Sequence, residues 1–131
     1  MNRLPESAAI LLRKAREDLQ TLEVLIGSGQ APASSMGFHA QQAAEKAIKA
    51  VLSHRNVVFP RTHNLRVLVS LLPGSATSPP PDAEMLPRLT PFGVVLRYDE
   101  VEETENQLPD QGQLLTWVRR TLDWAEGILA A

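Results

Sequence analysis

The sequence predicts an all-α fold, an up-and-down bundle of four to five helices forming a single domain over residues 1–131. Three observations lead there. Long stretches near residues 7–26, 34–54 and 110–129 repeat apolar side chains at helical spacing. The two short runs with β propensity, Val57-Val58-Phe59 and Val94-Val95-Leu96, lie far apart with no matching strand. The prolines fall outside the three long stretches, where with Gly27, Gly29 and Gly74 they punctuate the chain.

The first helix is expected from about Ser7, a plausible N-cap, to Ile26, with Gly27 and Gly29 as stop signals. Ala8, Leu11, Leu12, Ala15, Leu19, Leu22 and Ile26 share one face, and Asp18 sits inside that apolar arc. Arg13, Lys14, Glu17 and Glu23 read as a solvated face. The second helix, capped by Ser34 or Ser35 and ending near His54, has the strongest intrinsic propensity in the chain. Its apolar face centres on Ala44, Ile48, Val51 and Leu52, yet Gln41 and Glu45 fall on the same arc. His39, Gln42, Lys46 and Lys49 form a separate polar stripe.

Residues 55–60 read as an extended connection. Thr62 or Asn64 can cap a short third helix carrying Leu65, Leu68, Val69 and Leu72. Residues 73–81, rich in Pro and Ser, have the composition of a mobile linker. Asp82 can open a fourth helix that Pro87 and Pro91 keep short, kinked or broken. Residues 94–98 read as helix or extended backbone and residues 99–110 as an acidic loop. The last helix runs from about Asp110 to Leu129 with Leu114, Val118, Leu122, Ala125 and Leu129 as its stripe. Trp117 and Trp124 border that stripe, as core residues or as the seal of a subunit interface.

Composition narrows the function. The absence of cysteine excludes disulfides, thiolate metal sites and a cysteine nucleophile. The N-terminus has no secretory pattern, and no apolar run approaches the roughly 18–20 residues of a membrane span. A cytoplasmic protein without membrane association is expected. The net charge of −2 hides a division: residues 38–81 hold five Lys/Arg and one acid, whereas residues 82–110 hold eight acids and two arginines. The middle of the chain can therefore attract phosphate, or the two segments are solvated faces that keep the protein soluble.

No Walker loop, dinucleotide glycine fingerprint, His-Glu-x-x-His or Gly-x-Ser-x-Gly pattern occurs. His39, His54 and His63 have no spacing that makes a metal site on one helix, so neither metal nor cofactor is expected. Two residue sets remain. Asp18, Gln41, Glu45 and Arg97 can satisfy one another at the core margin, as an internal network that fixes helix register or borders a cleft. His39, Gln42, Lys46, Lys49, Arg61 and His63 form a donor-rich, basic set suited to a nucleotide or RNA phosphate.

The string Phe38-His39-Ala40-Gln41-Gln42-Ala43-Ala44-Glu45-Lys46-Ala47-Ile48-Lys49-Ala50, then Pro60-Arg61-Thr62-His63-Asn64-Leu65 and Arg97-Tyr98, resembles the HEPN domain family. Asp18-Leu19 also fits its pattern, and the resemblance covers roughly residues 7–128. It implies a helical bundle, usually homodimeric, with a nucleotide- or RNA-binding cleft, often partnered by a minimal nucleotidyltransferase in a toxin-antitoxin-like pair. The family's ribonuclease branch places a His four to six residues after an Arg, and the Arg and His of two subunits cleave RNA without metal. Here those positions are Val101, Glu102 and Glu103, and no His follows His63. Asp99 stands where a proline often follows Arg-Tyr. The resemblance is thus to the branch with Arg-Tyr and no ribonuclease signature, which implies a noncatalytic binding module. Two other readings stay open: a metal-independent ribonuclease using Arg97 with a displaced His39 or His63, and a purely structural dimer.

Overall fold

The computed structural model describes residues 5–93 and 108–131, and all regular structure among them is helical. In chain order these are α1 (Pro5–Ser28), α2 (Ala33–His54), α3 (Leu65–Ser70), a 3₁₀ turn (Pro73–Ser75), a longer 3₁₀ segment (Leu86–Gly93) and α4 (Gln111–Ala130). Residues 94–107, with Arg97 and Tyr98 and most of the acidic loop, lie outside the described residues.

Helix α2 is the axis of the fold, packing against α1, α3, the 3₁₀ segment and α4. Its alanines explain how: Ala40, Ala43, Ala44, Ala47 and Ala50 are fully buried and let neighbouring backbones approach closely. Ile48, Val51 and Leu52 fill the space beneath them, with Leu22 of α1, Leu65 and Leu68 of α3, and Leu114 and Val118 of α4. Truncating a leucine here to alanine costs about 2–5 kcal/mol, so the core leaves little freedom in how α2 is rotated.

The helix ends separate two kinds of signal. Asn64 caps α3, its side chain accepting from the backbone amides of Arg66 and Val67, and Asp110 caps α4 through Gly112 and Gln113. Both are side-chain caps of the expected kind. The starts of α1 and α2 differ from expectation. Helix α1 begins at Pro5, so Ser7 lies inside it rather than at its cap. Helix α2 begins at Ala33 after Pro32, which has φ −60° and makes no side-chain cap bond; Ser34 and Ser35 lie within the first turn. The fixed φ of proline organises such a start without any hydroxyl. At the other end of α2, Asn56 adopts φ 60° while Val57 N–H donates to the Leu52 carbonyl at 2.9 Å. This left-handed closure suits Asn better than a branched residue.

The 3₁₀ segment holds both Pro87 and Pro91, and 3₁₀ geometry tolerates them where a continuous α-helix would not. Two glycine positions lock it to the bundle. A Cβ on Gly37 of α2 would meet the Phe92 ring at 2.3 Å, and one on Gly93 would meet Gln41 Cδ at 2.5 Å. Within residues 73–81, Thr77 and Pro80 are buried, and Trp124 Nε1 donates to the Ser78 carbonyl at 3.0 Å. Trp117 is a core residue with the Arg88 guanidinium over its ring at 5.6 Å. Across the α1–α4 seam, Arg16 pairs with Glu126 and Arg119 with Glu23 at 2.7 Å. Glu23 therefore has a partner and is more than a solvated charge. These exposed pairs contribute at most about 1 kcal/mol each.

Candidate functional site

Two small clusters of charge flank α2, and they share one plan. On the α1 side, the Asp18 carboxylate meets His39 Nδ1 at 2.9 Å through Oδ1 and Lys46 Nζ at 2.6 Å through Oδ2. On the α3 side, Glu45 Oε1 meets His63 Nδ1 at 2.9 Å, and Oε2 accepts from Lys49 Nζ at 2.8 Å. Each carboxylate thus grips an imidazole with one oxygen and an ammonium with the other. Because an ionised carboxylate only accepts, Nδ1 carries the proton in both imidazoles.

Helical geometry explains why α2 serves both clusters. His39, Lys46, Gln42 and Lys49 follow one another around an arc of its surface, and Glu45 and Gln41 continue that arc inward. Asp18, on the inner face of α1, reaches the outer edge of this arc. His63, in the connection after α2, reaches the inner edge. The loop holding His63 is fixed from three sides. Gln41 Nε2 donates to its carbonyl at 3.1 Å, Asn64 N–H donates to Thr62 Oγ1 at 3.0 Å, and Leu65 N–H donates to Thr90 Oγ1 at 3.2 Å.

Gln41 is fully buried and fully satisfied. Its amide nitrogen also donates to Glu45 Oε1 at 2.7 Å, and its oxygen accepts from Gln42 Nε2 at 2.7 Å. Glu45, with its side chain only 6% exposed, therefore accepts from Gln41, His63 and Lys49. Burial is the largest single influence on its acidity and raises its pKa. The hydrogen bonds from Lys49, Gln41 and His63, together with the Lys49 charge, outweigh burial and hold the carboxyl below its usual range. Glu45 is thus an anion at neutral pH, and Lys49 also lies over the Phe59 ring at 5.7 Å.

The two residue sets anticipated from sequence interleave. Asp18 joins His39 and Lys46, whereas Gln41 and Glu45 join Gln42, Lys49 and His63. Arg97, the fourth member of the expected internal network, lies outside the described residues, so the acids are satisfied here by the basic stripe itself. Arg61 is exposed two residues before His63, and no ion pair of Arg61 occurs among the described residues. Thr90 and Gly93 are supporting residues that the sequence reading left unnamed; the Pro-bounded segment around them gave no periodic signal. Among the described residues, no three His, Cys, Asp or Glu side chains are grouped to hold a metal ion, and no helix is long and apolar enough to cross a membrane.

An all-helical bundle with this central helix and its flanking Thr-His loop defines a HEPN-type domain. The chain belongs to the HEPN domain family, which it matches over residues 8–128. It is also similar to a protein of Methanocaldococcus jannaschii named "Putative toxin MJ1304", with 39% identity over 54 residues. That alignment covers 41% of this chain and 34% of the other, so the chain spans about a third of that protein's length. No solved structure matches the chain.

Proposed function

We propose that the protein is a HEPN-type module that binds the phosphates of a nucleotide or RNA as a homodimer. It would be one member of a toxin-antitoxin-like pair whose other member is a minimal nucleotidyltransferase. Family membership and the toxin-named relative support the pairing. The site reading rests on one observation: two imidazoles and two ammonium groups are held along one arc of α2 by two largely buried carboxylates, beside the exposed Arg61. Binding would use His39, Gln42, Lys46, Lys49, Arg61 and His63. It proceeds without the family's ribonuclease chemistry, because no His follows Arg97 in the sequence.

Arg61 is the informative residue to change, since among the described residues it supports no buried acid. Fluorescence anisotropy of labelled ATP and of a short RNA should give about tenfold weaker binding for Arg61→Ala, the scale of one charge-assisted hydrogen bond. The salt dependence of RNA binding should fall by about one phosphate contact. Identical affinities for the two proteins would remove Arg61 from the site, and no binding by either would sink the reading.

A second reading, the metal-independent ribonuclease, draws on the carboxylate held against Nδ1 of both His39 and His63, which orients each imidazole as a general acid or base would be. Incubation with cellular RNA in the presence of chelator separates the two. Cleavage that disappears in Arg97→Ala supports the enzyme, and its absence supports the binding module.

A further inference from the structure

The two clusters are electrically silent in a way that limits how they can hold an anion. In each, the carboxylate and the ammonium cancel, so Asp18 with Lys46 and Glu45 with Lys49 leave no net charge when the imidazole is neutral. A phosphodiester brought to that surface meets two ammonium groups whose charge is already offset by a carboxylate behind each. The imidazoles face a second restriction. Their Nδ1–H groups are already committed to Asp18 and Glu45, so a neutral ring offers only an accepting lone pair at Nε2. A phosphate oxygen is also an acceptor, and two acceptors cannot bond. Only the imidazolium can donate to the carboxylate through Nδ1 and to a phosphate through Nε2 at the same time.

From this geometry we infer that the α2 face binds the phosphodiester backbone of single-stranded RNA with uptake of protons, one at His39 and one at His63. The inference rests on the phosphate-binding reading above and gives it a mechanism. Among the described residues, the charged groups paired with the two imidazoles fit it. Helix α1 supplies Asp18 and α2 supplies Glu45, Lys46 and Lys49, while the exposed Arg61 stands two residues before His63 in the connection to α3. The 3₁₀ segment contributes none, because its one ionisable residue, Arg88, lies over Trp117 instead. Protonation of both rings raises the charge of this group from +1, due to Arg61, to +3.

An extended backbone suits the site better than a single phosphate. Lys46 turns to the α1 edge of α2 and Lys49 to the α3 edge, so the two ammonium groups are held apart by different carboxylates. A backbone with successive phosphates can engage both clusters across the face of the helix.

The test uses oligouridylate with hydroxyl ends, which has no group titrating between pH 6 and 8, so any proton taken up belongs to the protein. Affinity is measured by anisotropy across that range, and proton uptake by calorimetry in buffers of different ionisation heat. Wild type should bind at least about tenfold more tightly at pH 6 than at pH 8, since each linked proton can contribute up to about tenfold per pH unit. His39→Gln with His63→Gln, which keeps an amide donor for each carboxylate, should bind with affinity independent of pH, and His54→Gln should behave as wild type. Wild-type binding that is flat with pH and releases or takes up no protons would overturn the inference while leaving RNA binding intact. PH dependence that survives the double variant, or vanishes with His54→Gln, would overturn it as well. No binding at any pH would remove the phosphate-binding reading itself. Should the double variant fail to melt cooperatively, the wild-type proton count still decides.

Discussion

Replacing Glu45 by Gln tests whether the buried carboxylate is structural as an anion or only as a shape. The amide is nearly isosteric, so packing is conserved and the change is one of charge and donor count. Its oxygen can keep the Oε1 position and accept from Gln41 Nε2 and His63 Nδ1, as neutral rather than charge-assisted bonds. Its NH₂ then replaces Oε2 and faces Lys49 Nζ, donor against donor. Weakening two charge-assisted bonds costs about 0.5–1 kcal/mol each. Losing the Lys49 partner adds about 1 kcal/mol, held down because Lys49 can turn toward water. The expected loss is about 2–3 kcal/mol at pH 7, or roughly 10 °C in melting temperature for a chain of this length. The pH dependence gives an independent check. The folded-state pKa of Glu45 lies below its unfolded value, so its contribution is fully present above the ordinary glutamate pKa, about 4.3. It is lost as pH falls from there through the folded-state value. Urea unfolding at pH 7 and at several points below pH 5 should therefore show the gap between wild type and Glu45→Gln closing on acidification. A loss under about 0.5 kcal/mol at pH 7, or a gap of constant size down to low pH, would refute the claim that the ionised carboxylate holds this edge of α2.

Two further changes probe the supports of the same site. Gly93→Ala would place a Cβ 2.5 Å from Gln41 Cδ and 2.6 Å from its Oε1, and Gln41 cannot yield without breaking its bonds to Glu45 and His63. Chemical denaturation should show a loss of about 1–3 kcal/mol. Ala76 closes the short 3₁₀ turn at φ 56°, a left-handed conformation that disfavours a Cβ. Ala76→Gly should accordingly stabilise the protein by about 0.5–1 kcal/mol in the same assay.

The parts of the fold legible in the sequence are those whose cause is local. Asn64 and Asp110 cap helices through their own side chains, and a polar residue before an apolar periodic run narrowed the first to Thr62 or Asn64 and started the last helix near Asp110. Pro32 acts through a fixed φ with no side-chain bond, and the serines after it offered a more conspicuous but unused alternative. The same division runs through the site. Glu45 with Lys49, and Gln41 with Glu45, are spaced four apart on one helix and could be paired by counting. Asp18 lies 21 residues from His39 and 28 from Lys46, so that pairing depends on how α1 is rotated against α2. The core decides that rotation, through the buried alanines of α2.

This dependence bears on how binding at α2 can be probed. Lys46 and Lys49 look like free phosphate ligands on a helical wheel, and alanine at either would be the obvious test. In the folded protein each neutralises a carboxylate whose side chain is 12% exposed, for Asp18, or 6% exposed, for Glu45. Removing one partner of such a pair leaves an uncompensated charge near the core, at a cost of about 3–5 kcal/mol for a fully buried pair and less for Asp18. A fall in RNA affinity for Lys49→Ala would then report a rearranged α3 edge as readily as a lost phosphate contact. Arg61 carries no such obligation among the described residues, and His39 and His63 can be replaced by Gln with a donor kept on each acid. Those positions, rather than the two lysines, separate recognition from architecture on a helix that supplies both.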